Sequence, residues 1–116
     1  MININDLKKF GIDVEEVTRQ HKGNYEVFLN SLADFAEDKN YEQMLAFLSS
    51  NDYKSAFTHA ITLKRVSGRL NFSDLYNNLR ILTDLLRSCE PVNTSEIVAL
   101  LKKDYAKILE AINYIK

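Results

Sequence analysis

Only three glycines and one proline punctuate the 116 residues of this chain. A sandwich or barrel reverses its chain about every 8–12 residues and relies on such residues at its turns. A chain this poor in turn formers is committed to long helices. Hydrophobic residues make up 46% and charged residues 27%, enough apolar side chain for a core and too much for a disordered segment. The length is that of a single domain spanning residues 1–116, with no linker, repeat or low-complexity stretch to divide it.

Apolar spacing places the helices. Residues 3–9 suggest one helical turn, stopped by Gly11. Asp13 with Glu16 three residues later has the form of a capping box opening a short helix, which ends at Lys22-Gly23-Asn24. From Tyr25 the apolar positions are Phe28, Leu29, Leu32, Phe35 and Ala36, then Tyr41, Met44, Leu45 and Leu48. The phase slips across Glu37-Asp38-Lys39-Asn40, which fits either one kinked helix or two with a tight joint. Ser49-Ser50-Asn51-Asp52 offers several caps for a helix over 52–70, whose core stripe is Ala56, Ala60, Leu63, Ser67 and Leu70. Asn71 tolerates the left-handed conformation at its end. Ser73 is expected to cap the next helix, with Leu75, Leu79, Leu82 and Leu86 inward. After Pro91, Asn93 and Glu96 open the last, with Ile97, Leu101, Tyr105, Ile108, Ile112 and Ile115 on its stripe. The expectation is an all-α chain: an antiparallel four-helix bundle with a short N-terminal helical segment.

Chemistry-bearing motifs are absent. The two histidines, His21 and His59, stand far apart with no metal-ligand spacing around them. The glycines, at 11, 23 and 68, form no phosphate loop, and no nucleophile signature occurs. One cysteine, Cys89, excludes an internal disulfide and reads as a structural or surface thiol. No enzyme, cofactor, metal site or small-molecule substrate is expected. A net charge of −1 gives no global field for nucleic acid or anionic lipid. The longest uncharged stretches, Gln43 to Asn51 and Ser55 to Leu63, are nine residues each, far below the ~20 that span a bilayer. The opening Met1-Ile2-Asn3-Ile4-Asn5-Asp6 has no basic or apolar leader pattern. The expectation is a cytoplasmic protein without a membrane segment, a monomer unless an apolar patch at Phe57 and Ile61 makes a weak dimer.

One stretch carries more. Ala60-Ile61-Thr62-Leu63-Lys64-Arg65-Val66-Ser67-Gly68-Arg69-Leu70-Asn71-Phe72 resembles the signature of histidine phosphotransfer (HPt) domains, of the type Ala-His-x-Leu-Lys-Gly-x-Ala-x-Asn-Leu-Gly on a helix of a four-helix bundle. Gly11-Ile12-Asp13, Gly23-Asn24-Tyr25, the run to Phe35, Asp52 and the leucines after the motif are similar to the family as well. The resemblance covers about residues 11 to 115. It implies a phosphorelay partner: the receiver domain of a response regulator or hybrid kinase. The departures alter what it implies about chemistry. The family's phosphorylated histidine falls on Ile61, its next glycine on Arg65, its asparagine on Arg69 and its later glycine on Asn71. Isoleucine has no lone pair with which to take up a phosphoryl group. The resemblance thus points to a degenerate, non-catalytic member.

On the motif helix Phe57, Ile61, Lys64, Arg65, Gly68 and Arg69 gather away from the core stripe and are the candidate docking face. Phe57 and Ile61 are expected to be exposed, Gly68 permits a close approach, and Arg65 leans back over Ile61. An apolar centre rimmed by cations suits a partner with an acidic pocket. His59 lies about 200° around the helix from Ile61 and is expected to be structural. His21 is expected in solvent or capping the last carbonyls of its helix. Two alternatives stand beside this reading: an active phosphotransfer protein using His59 or His21, and a helical interaction module unrelated to phosphorelay.

Overall fold

The fold follows from where each apolar stripe finds a partner. The structure, a computed structural model, describes residues 2–116 and contains no strand among them. A 3-10 segment, Ile4–Phe10, leads into α1 (Val14–His21), α2 (Glu26–Asp34), α3 (Asn40–Ser49), α4 (Tyr53–Arg69), α5 (Ser73–Leu86) and α6 (Ser95–Ile115). The all-helical expectation holds. Each of α3, α4 and α5 packs on the helix that follows it. Three-residue joints separate α3 from α4 and α4 from α5. Such short connections between packed neighbours fit an up-and-down bundle. The inward stripes are buried as spaced, from Ala56, Ala60, Leu63, Ser67 and Leu70 on α4 to Leu75, Leu79, Leu82 and Leu86 on α5.

The phase slip after α2 is a joint between two helices. Phe35–Glu37 forms a short 3-10 turn, and Asp38 is extended (φ −72°, ψ 126°). Its carboxylate then accepts from the Asn40 backbone N–H at 2.8 Å, closing the first turn of α3. The joint keeps Phe35 inward, edge-on to Phe72 at 5.1 Å between ring centroids. It also lets Tyr41 stack on Tyr105 of α6 at 3.7 Å.

Caps behave in two ways. Asp13 accepts from the Glu16 N–H at 3.1 Å, and Asp52 from the Ser55 N–H at 3.1 Å. Glu16 does not return the bond of a full capping box: the Asp13 backbone N–H donates to the Asn71 carbonyl at 2.8 Å, and the Glu16 carboxylate pairs with Arg19. Ser73 is not the cap of α5: Phe72 occupies that position without a side-chain bond. The Ser73 hydroxyl donates instead to the Gly11 carbonyl at 3.3 Å, fastening the N-terminal segment to the start of α5. Gly11 has φ +83°, and a Cβ there would lie 2.8 Å from Asp74 Oδ2, so this junction favours glycine. Asn71, at φ +63°, ends α4: the Phe72 N–H reaches back to the Ser67 carbonyl at 2.9 Å while Phe72 turns into the core.

Candidate functional site

Asp52 caps the start of α4 and Leu70 closes its end, so the 17 residues of Tyr53–Arg69 project side chains in every direction from one helix. Its core stripe points at the interior, one flank meets α3 and the other meets α5. The six residues of the candidate face divide between the α5 flank and the outer surface. Phe57 is half-buried and packs against the core, contrary to the expectation of an exposed ring. Ile61 and Lys64 are also half-buried, and Arg65, Gly68 and Arg69 are exposed. The correction has a simple cause. Positions 57, 64 and 68 share the edge of the helix on which α5 leans.

Gly68 shows this most directly. A Cβ at that position would lie 3.0 Å from Tyr76 Cε1 and 3.1 Å from Cδ1. The close approach that glycine permits is therefore taken by an α5 side chain of the same molecule. Beside it, Asp13, Ser67, Asn71 and Asn77 help line a cleft of about 300 Å³. The Ser67 hydroxyl is buried and has no hydrogen-bond partner among the described residues.

The outer surface of α4 is electrostatically one-sided. Its charged residues are the exposed Lys54, Arg65 and Arg69, joined by the half-buried Lys64 at the α5 edge, all positive in a chain whose net charge is −1. Among the described residues none of the four is in an ion pair. Between these cations, the Thr58 and Thr62 hydroxyls bond back to the Lys54 and Thr58 carbonyls at 3.2 Å each. The resulting surface is a helix face of unpaired cations around a half-buried Ile61. At its C-terminal end Arg69 borders a cleft of about 340 Å³ whose far wall carries Asp34, Glu37 and Asp38.

His59 is structural in placement. Its ring stacks on Phe47 of α3 at 5.5 Å and 14°, and Nδ1 lies 2.9 Å from Asn40 Oδ1. The Asn40 amide nitrogen donates to the Asp38 carboxylate at 3.0 Å. Because a carboxylate only accepts, this bond turns Oδ1 toward the histidine, and His59 Nδ1 must be the donor. The chain Asp38–Asn40–His59 thus pins the start of α3 to the middle of α4. His21 is neither free in solvent nor the cap of α1. It is half-buried with its ring 5.8 Å from Phe28, and Lys22 in the left-handed conformation closes the helix. The histidines do not come together, and among the described residues no three His, Cys, Asp or Glu side chains are grouped to hold a metal. Cys89 is an exposed free thiol.

Sequence reasoning missed Tyr76 and the Asp38–Asn40 pair. Tyr76 lies on the flank of α5, outside its leucine stripe, and Asn40 is 19 residues from His59. One carboxyl elsewhere is perturbed. Asp104 of α6 is buried against Asn78 of α5 at 2.6 Å, and burial raises its pKa above the ordinary carboxylate value. No helix among the described residues is long and apolar enough to cross a membrane. Comparison of the chain with protein-family models, with curated proteins and with solved structures found no match.

Proposed function

We propose that the chain is a non-catalytic phosphotransfer-like module of the cytoplasm that docks a receiver or histidine-kinase partner through the outer face of α4. The observation that carries this reading is the set of exposed cations Lys54, Arg65 and Arg69 on α4, with Lys64 at the edge of the face, none in an ion pair among the described residues, beside Ile61. In the motif that the segment resembles, Ile61 occupies the place of the phosphorylated histidine. A receiver's phosphorylation pocket is acidic, so it supplies the opposite charge, and a half-buried isoleucine supplies an apolar contact at the centre. With no imidazole at that position the module would occupy the receiver without relieving it of phosphate. It would act as a competitor, buffer or scaffold.

The test pairs two measurements on a panel of receiver domains. Calorimetry is expected to show binding that Ile61→Asp abolishes, because the substitution places a carboxylate opposite an acidic pocket. Incubation with phosphorylated receivers is expected to leave the chain unlabelled. Acid-labile, base-stable label that disappears in His59→Gln would overturn the non-catalytic reading. Absence of binding to every receiver and kinase tested would overturn the docking assignment.

A further inference from the structure

Six large apolar side chains remain exposed among the described residues, and three of them lie in one place. Ile81 is 50% exposed, Leu85 37% and Leu100 46%, and they line a groove of about 490 Å³ between α5 and α6 together with Ile97. Leaving such a patch in water is unfavourable, and a contiguous apolar surface framed by charge is the usual form of a protein contact.

The charges around this groove select the occupant. On α6, Glu96 precedes Leu100 by four residues and Lys103 follows it by three. That spacing sets all three on one stripe, with the leucine between opposite charges two turns apart. Neither Glu96 nor Lys103 is in an ion pair among the described residues. A two-fold axis near Leu100 reverses this order in a second copy. Glu96 of each copy then faces Lys103 of the other, and the apolar groove residues meet in the middle. Ala99, exposed beside Leu100, presents no bulk to hold the helices apart. A partner of one predominant charge would match only one end of the stripe, whereas a second copy matches both.

We propose that the α5–α6 groove is the interface of a weak, symmetric homodimer of this chain, with antiparallel α6 helices and two Glu96–Lys103 pairs. The apolar patch is small beside the ~800 Å² per partner of a standard interface, so the dimer exchanges with monomer in the micromolar range or above. It leaves the outer face of α4 open, because α4 lies on the other flank of α5, where Gly68 receives Tyr76. The dimer therefore stands or falls separately from receiver docking.

Sedimentation equilibrium of the full chain, from about 10 μM to about 1 mM, tests it. Self-association should appear within that range and weaken as salt screens the pairs. Glu96→Lys or Lys103→Glu alone turns two attractions into two repulsions and should raise the dimer Kd by about tenfold or more. The double reversal, Glu96→Lys with Lys103→Glu, should return the Kd to near the starting value. Both positions are exposed, and thermal melts check that the variants fold equally well. A chain that stays monomeric at the highest concentration overturns the proposal. A dimer indifferent to single reversal, or one the double reversal fails to rescue, overturns it too.

Discussion

Gly68 and Tyr76 form a contact whose energetics can be worked out from distances. In Gly68→Ala the new Cβ would sit 3.0 Å from Tyr76 Cε1 and 3.1 Å from Cδ1, where relaxed carbon contacts lie at about 3.5–4.0 Å. The ring must give way by a few tenths of an ångström. Overpacking of this kind costs about 1–3 kcal/mol, and the half-buried ring can tilt toward solvent, so about 1.5 kcal/mol is the appropriate figure. Against this stands the helix preference of alanine over glycine, about 1 kcal/mol mid-helix and about 0.5 kcal/mol in a last turn. The packing term wins. Gly68→Ala should destabilise the protein by about 1 kcal/mol, a fall in Tm of about 4 °C for a domain of this size.

The same substitution should change sign when the ring is gone. In a Tyr76→Ala background nothing opposes the added methyl, and Gly68→Ala should stabilise by about 0.5 kcal/mol. The coupling between the two sites is then about 1.5 kcal/mol. Urea unfolding followed by helix circular dichroism on the four proteins measures it. If Gly68→Ala raises the unfolding midpoint in both backgrounds, Tyr76 does not own the space above Gly68, and the assignment of this glycine to internal packing is refuted.

Two further expectations concern Asp104 and Asp13. Burial raises the pKa of Asp104, so the folded state holds the proton more readily than the unfolded state. Its contribution to stability is fullest at low pH and falls as pH climbs through the window from the ordinary carboxylate value to the raised one. Asp104→Asn keeps an acceptor for Asn78 and should lift the urea midpoint at pH 7 while flattening that decline; a decline parallel to wild type would show that Asp104 is not its source. Asp13→Ala removes the acceptor for the Glu16 N–H and should cost about 1 kcal/mol in urea unfolding, while Asp13→Asn should cost only a fraction of that; equal losses would mean that the cap bond is not what Asp13 contributes.

What the sequence disclosed divides along a physical line. A helix's buried stripe is set by its own period, so Ala56, Ala60, Leu63, Ser67 and Leu70 could be named before any neighbour was known, and all are buried. The flank of a helix is set by the lean of its neighbour, which no single-helix period encodes. For that reason Phe57 and Ile61 were expected in the open and are half-buried, and the use of Gly68 by Tyr76 was not legible. Ser73 shows the same division at a cap. Its type predicts a helix start, but one residue's difference in where the turn begins sends the hydroxyl to Gly11. The joint at 35–40 was visible as a slip in phase. That it is a break between helices depends on Asp38, whose carboxylate serves Asn40 and, through it, His59. The charge on α4 was readable residue by residue; its lack of partners became visible only with the neighbouring helices in place.

Position 61 lies outside what holds α4 together. Ile61 is not one of the core residues of α4, and it is not among the partly buried apolar side chains packed against that core. The stability of the helix rests on its stripe and on the Asp52 cap, so the side chain at 61 is free to change without unfolding the bundle. Under the proposed function, the imidazole of the resembled motif and the framework that would present it are therefore energetically separable. The surrounding cations are separable too. Lys54, Arg65 and Arg69 are exposed, cost little to keep in water, and under the proposed function would act on a partner through a field that does not require a nucleophile at its centre. Under the proposed function, a fold whose core and surface are this independent can lose the acceptor residue in one step and still keep whatever the face of α4 binds.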